Sequence, residues 1–338
     1  MSTPAQQDSP TFPRPSLVTC FRKGFDAVTN HIEILVFPLL IDLFLWLGPH
    51  FTIRSRMEEA IQLLNEVIVQ EGSLPEEAIA ASQQTWQFFA EHFNLLAFLR
   101  TLPVGIPSLM ATHAPIDTPL GAPNLIELTE FTAVFLFIML VVLAGLIAGA
   151  LYYLLVAQVS IINQVDWGYV LREWPRAALK SIGLLLALLV TLLAVTLPVS
   201  CLLGTLAMSG VVFSQIGTFL YGVILAWWMF PLVFSAHGIF LYRDNLLLSI
   251  RRSIRLTRLT FPVTGTLILL VLLLSEGLNI LWKTPKADSW LMLLGVGGHA
   301  YIATAFLAVS FVYYHETNRW LQSLPWGSFL NPNRGMKV

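Results

Sequence analysis

The chain has 338 residues, of which 56% are hydrophobic and only 12% charged; its formal net charge is −1 and its mean hydropathy +0.72. Soluble domains carry about 25% charged residues. This composition therefore excludes a disordered polypeptide, a nucleic-acid binder and most soluble enzymes, and it points to lipid as the main solvent.

Residues 1–15 are polar and proline-containing and lack a basic start followed by an apolar run, so they read as a disordered tail and not as a cleavable signal peptide. Ser16–Asn30 is amphipathic, with Leu17, Phe21, Phe25 and Val28 on one face and Arg22, Lys23 and Asp26 off it. It leads into a short apolar span, Glu33–Leu47, that carries Pro38 and Asp42. Five further spans follow at Thr129–Val156, Ile182–Met208, Val211–Leu241, Phe261–Trp282 and Trp290–Tyr314. Each of these five reaches the ~20 residues that cross a ~30 Å hydrocarbon core. Pro198 predicts an end or a kink in the third span. Trp227, Trp228 and Pro231 predict a bulky, kinked core helix in the fourth. Gly145 and Gly149, four apart in the second span, permit close packing against a neighbour.

Residues 50–128, between the first two spans, are too long for a plain connection. Ile53, Met57, Ile61, Leu64 and Ile68 recur at helical spacing. Ser73 with Glu76 has the form of a capping box, opening a helix with Ile79, Trp86, Phe89, Phe93 and Leu96 on one face. The two helices are expected to pack as a hairpin. From Thr101 to Asn124, Pro103, Pro107, Pro115, Pro119 and Pro123 exclude a helix and predict an extended, ordered strap.

All of the 19 lysines and arginines except Arg54, Arg56, Arg100, Lys283 and Lys286 fall on one side of these spans. Basic residues mark the cytoplasmic side, so both termini are expected there, including the tail 325–338. The acids Glu58, Glu59, Glu66, Glu71, Glu76, Glu77, Glu91, Asp117 and Glu127 all lie in 50–128, which becomes an acidic outer insertion.

The segments 166–180 and 245–260 repeat the pattern of Ser16–Asn30: an amphipathic basic stretch leading into a pair of spans. The expected fold is thus all-α and integral to the cell membrane, with six transmembrane helices arranged as three hairpins. Each hairpin follows an interfacial helix, and residues 129–324 form the membrane bundle. In the third interfacial helix Leu247, Ile250 and Ile254 face the acyl boundary. Arg251, Arg252, Arg255 and Arg258 are then free to bind anionic headgroups, at about 1 kcal/mol each.

The run Ser249 to Phe261, with its basic residues followed by a long apolar helix, resembles YciC-like bacterial membrane proteins. It is also similar to the membrane domain attached to some glycerophosphodiester phosphodiesterases. The resemblance implies a polytopic membrane protein of poorly defined role and carries no catalytic residues; the large acidic insertion departs from that pattern.

Ionisable side chains within a span are costly and mark candidate sites. Asp42, Glu276 and His299 qualify. The spans of Glu276 and His299 form a hairpin, so the two can meet, with Asn279 one turn beyond. Gly295, Gly297 and Gly298 permit a close approach or a break beside His299. His237 and His315 read as interface residues whose polar tips reach water. His92 and His113 lack metal-ligand spacing, and the two cysteines, Cys20 and Cys201, form no metal or disulfide pattern. HExxH, GxSxG and Walker A motifs are missing. The expectation is therefore a non-enzymatic protein without metal or cofactor. It organises the membrane or binds a protein partner through the outer insertion; the alternative is a small-solute or ion transporter built on Asp42, Glu276 and His299.

Overall fold

The computed structural model describes residues 13–71, 83–90, 93–113, 115, 117–208 and 211–324. The tails, the Ser73–Glu76 capping box, Ile79 and His92 lie outside these residues. In chain order the described elements begin with α1 (Leu17–Asn30), a 3-10 turn (Ile32–Leu35), α2 (Val36–Leu47), β1 (His50–Thr52) and α3 (Arg54–Glu71). Helix α4 (83–90), a 3-10 turn (Leu95–Leu99), α5 (Met110–His113) and β2 (Leu125–Glu127) follow. The long helices are α6 (Phe131–Ile162), α7 (Trp167–Met208), α8 (Val211–Met229), α11 (Phe261–Trp282) and α12 (Met292–Ser323). Between α8 and α11 lie a 3-10 turn (Phe230–Leu232), α9 (Ser235–Tyr242) and α10 (Leu246–Leu259).

Five helical stretches are long and apolar enough to cross a membrane, and six if the bent pair Leu17–Asn30 and Ile32–Leu47 makes one span. The protein is thus a helical, multi-pass membrane protein. Helix α7 differs from expectation. It runs 42 residues without a break, through Pro175 and Pro198. At ~1.5 Å per residue that is roughly 63 Å, about twice the hydrocarbon core. The segment 166–180 is therefore not a separate interfacial helix, and Pro198 ends nothing: a proline removes a single donor, and the flanking turns carry the helix past it.

The chain divides into two compact units, and the divisions fall inside the 3-10 turn Ile32–Leu35 and inside α6, α11 and α12. One unit consists of the described residues of Met1–Ile32, Tyr153–Leu272 and Ala305–Val338. Its core gathers Cys20, Phe234, Leu256, Leu267, Val309, Val312, Tyr313 and Tyr314. Pro231 breaks the fourth span, where a 3-10 turn separates α8 from α9. A broken helix frees backbone groups that cannot stay unpaired in an apolar medium. Helix α10 supplies the partners. The Ser253 hydroxyl donates to the Pro231 carbonyl at 2.7 Å and accepts from the Phe234 N–H at 3.1 Å. The Ser249 hydroxyl donates to the Ser235 carbonyl at 2.5 Å. The docked face of α10 is thus Ser249, Ser253, Leu256 and Thr257, while Leu247 stays exposed. The expected two-sided pattern missed this third face because serine carries no hydropathy signal. Trp227 and Trp228 are exposed and not in a core, since the turns before Pro231 aim them outward.

Helix α1 docks in the same unit. A side chain at Gly24 would meet the Val309 backbone nitrogen at 2.6 Å, so only glycine admits this approach to α12. Phe21 and Phe25 set edge-on contacts with Phe306 at 6.2 and 6.1 Å, and Lys23 pairs with Glu316 at 2.7 Å.

The second unit holds Glu33–Tyr152 and Leu273–Thr304. Its core includes Leu45, Trp46, Leu96, Leu109, Met110, Val141, Met292 and Val296. Strands β1 and β2 pair in parallel, His50 opposite Leu125 and Thr52 opposite Glu127, and so join the two ends of the 50–128 insertion. No strand was expected, because three residues are too few to show an alternation. Phe51 of β1 stacks on Phe137 of α6 at 4.4 Å.

Replacing Ser253 by alanine removes the partner of a half-buried carbonyl and of a buried N–H. We expect Ser253→Ala to cost about 1–3 kcal/mol, read as a lower unfolding temperature in detergent, whereas Ser200→Ala, at an exposed position of α7, leaves it unchanged.

Candidate functional site

The strap is the most buried part of the insertion. Val104, Ile106, Ser108, Leu109 and Met110 are all buried. The prolines do not exclude helix throughout: between Pro107 and Pro115 the chain closes a single helical turn, α5. This turn has no flanking helix to absorb its free N–H groups, and Asp42 of α2 receives them. Its Oδ1 accepts from the Met110 N–H at 2.9 Å and from the Ser108 hydroxyl at 2.5 Å, and its Oδ2 accepts from the Leu109 N–H at 3.2 Å. Ser108 in turn accepts from the Ala111 N–H at 3.0 Å. A carboxylate at a helix N-terminus is favoured by the alignment of peptide dipoles. The carboxylate of Asp42 is therefore a cap.

The strap also explains Gly145 and Gly149. A side chain at Gly145 would meet the Leu99 carbonyl at 2.5 Å, and one at Gly149 would meet the Gly105 Cα at 2.9 Å. The two glycines therefore seat irregular backbone, not another membrane helix. Gly149 lies ~27 Å along α6 from Phe131 at ~1.5 Å per residue, so Gly105 of the strap meets α6 a little past its middle. Non-helical backbone at such depth is tolerated only where protein covers it.

Of the expected cluster, Asp42 and His299 come together. His299 Nδ1 is 3.9 Å from Asp42 Oδ2. This nitrogen is buried and has no hydrogen-bond partner. Glu276 does not join them. It is exposed on α11 and, like the Asn279 side chain, makes no hydrogen bond or ion pair among the described residues. Trp282 occupies the inward face of that helix end, and six residues at ~100° each place Glu276 about 240° around from it. Gly295 and Gly298 admit Trp282 closely, while α12 continues unbroken through them. A small cavity of about 60 Å³ lies under the strap, lined by His50, Asn94, Met110 and Pro115 among others. Burial lowers the His50 pKa. Asn94 Oδ1 fastens this region by accepting from the Leu96 N–H at 3.0 Å and the Phe51 N–H at 3.1 Å. The helix predicted across 53–68 is present as α3, and of the one predicted across 79–96 the described residues 83–90 are helical. Helix α4 stops before Phe93, Leu96 belongs to the following 3-10 turn, and Trp86, Phe88 and Phe89 are exposed. Asn94 caps the start of that 3-10 turn, its side chain accepting from the Leu96 N–H.

The other unit holds a second polar centre that the spacing of residues did not announce. Asp244 is buried and pairs with Arg252 at 3.1 Å, and Arg252 also lies over the Tyr242 ring at 5.0 Å. Arg252 is thus withdrawn from the headgroup set expected of it. Arg251 and Arg258 remain exposed and Arg255 is partly buried. His237 is buried, with Nε2 2.8 Å from the Ser310 hydroxyl and Nδ1 unpartnered, so it is not an interface residue. His315 Nδ1 meets the Tyr242 hydroxyl at 3.2 Å. Among the described residues no three His, Cys, Asp or Glu side chains group closely enough to hold a metal ion.

Compared with protein families, curated proteins and solved structures, the chain matches none.

Two predictions follow from these polar centres. Asp42→Ala removes all three acceptor contacts, and we expect faster proteolysis within 100–113; Asp42→Asn, which keeps one carbonyl oxygen, is expected to fall between it and the parent. Burial, against the pull of Arg252 and Lys180, pushes the Asp244 carboxyl from 3.8 up to about 6. A raised carboxyl binds its proton more tightly in the fold. Its stabilising contribution is full below pH 3.8 and lost as the pH rises through about 6. The unfolding temperature is therefore expected to fall across that window, and to fall less in Asp244→Asn.

Proposed function

We propose that this protein is a non-enzymatic membrane-organising or partner-binding protein whose 50–128 insertion is a docking module on the outer side of a cell membrane, with both termini cytoplasmic. The observation that carries this reading is the engagement of Asp42. Its two oxygens accept three donors from the strap. Such a carboxylate is committed to holding the insertion in place and has little capacity left for a passing solute. Beyond the fastened strap, α4 offers Trp86, Phe88 and Phe89 as exposed aromatics, the residue type enriched where proteins bind partners. The basic residues of α10 add attraction to anionic lipid. The similarity to YciC-like membrane proteins belongs to the same reading.

A second reading, a small-solute or ion transporter, is favoured by the unpartnered His299 Nδ1 beside Asp42. The two diverge in test. With a photoreactive residue at Phe88 in intact cells, the docking reading expects a discrete protein adduct, and a membrane-impermeant thiol reagent is expected to label Arg56→Cys from outside. Lipid adducts alone, or labelling only after lysis, would overturn it. A solute flux in proteoliposomes that His299→Gln abolishes would establish the transporter instead.

A further inference from the structure

The break at Pro231 leaves an open groove of about 230 Å³ between the end of α8 and the junction of α10 with α11. Trp227, Phe230 and Phe261 are its aromatic walls. The ring of Phe261 stands 5.3 Å from that of Trp227 and 5.3 Å from that of Phe230. Trp227 is 67% exposed and Phe261 41%, so the walls are open to the surroundings. Two polar residues complete the lining. Arg258, in the last turn of α10, is exposed. Thr257 is 1% exposed, and its hydroxyl is enclosed by the protein beneath the groove.

The polarity of the groove runs in one direction. Phe261 is the first residue of a helix apolar enough to cross a membrane, and Arg258 lies three residues earlier on a basic helix. One end therefore offers a cation at the start of a span, and the other offers aromatic rings along the apolar stretch. An occupant must carry an anion and a long apolar chain in that order. We propose that this groove binds one anionic phospholipid, its phosphate on Arg258 and an acyl chain along Trp227, Phe230 and Phe261. The site rests on α8 and α11 lying in a membrane and not on the docking role of 50–128, so either proposal can fail without the other.

Native mass spectrometry of the full chain in detergent tests the site, with phosphatidylglycerol, phosphatidylcholine and inorganic phosphate as separate probes. One phosphatidylglycerol is expected to be retained in preference to phosphatidylcholine. Arg258→Gln is expected to weaken it about fivefold, the worth of one arginine near a charged surface. Arg258→Lys retains binding, Trp227→Ala weakens it, and Arg172→Gln, an exposed cation off the groove, leaves it unchanged. The arginine variants alter exposed side chains, so folding is not at issue. Equal retention of the two lipids, an unaffected Arg258→Gln, or displacement of the lipid by inorganic phosphate would overturn the proposal.

Discussion

An apolar medium leaves no water to pair a free peptide group, and each unit of this protein is arranged around one place where the helical ladder stops. In one unit the stop is Pro231, and Ser249 and Ser253 of α10 meet the exposed backbone. In the other it is the lone turn α5, and Asp42 meets its N–H groups. An unpaired buried donor or acceptor costs about 1–3 kcal/mol, comparable to a sizeable part of the stability of a whole domain. The partner side chains are thus as necessary to the fold as the apolar cores around them.

This requirement changes what a buried carboxylate on an apolar helix means. A carboxylate inside a span is costly, and an ion pathway is one way to justify it. Asp42 is justified differently, because three strap donors replace its hydration. His299 stands close by with an unpartnered nitrogen, so the network is satisfied on the carboxylate side and incomplete on the imidazole side. In the other unit Asp244 and Arg252 neutralise each other while tying α10 to the end of α9.

Several features were legible from single residues. Asp42 and His299 stand out as rare polar groups in apolar runs, and they do meet. The glycines at 145 and 149 announce a close approach, although hydropathy could not say that a proline-rich strap, and not a helix, makes it. Glu276 looked equivalent to Asp42 in sequence. Its place on α11 was decided by which face Trp282 occupies, a matter of rotation that spacing along one helix cannot fix against another. Ser249 and Ser253 were passed over because a small hydroxyl side chain scores as neither core nor charge, yet their four-residue spacing is the available signal for a face that satisfies backbone.

By itself the sequence determined the helical class, the presence of several apolar stretches long enough to cross a membrane, and the basic character of α10. These properties follow from composition and periodicity within a single segment. Tertiary structure alone decided that the strap is buried against α6, that Asp42 is a cap, that Arg252 turns inward to Asp244 while Arg258 stays outside, and that a groove opens at Pro231. Each of these depends on which polar group finds a partner on a different element, and that pairing is settled only when the elements pack.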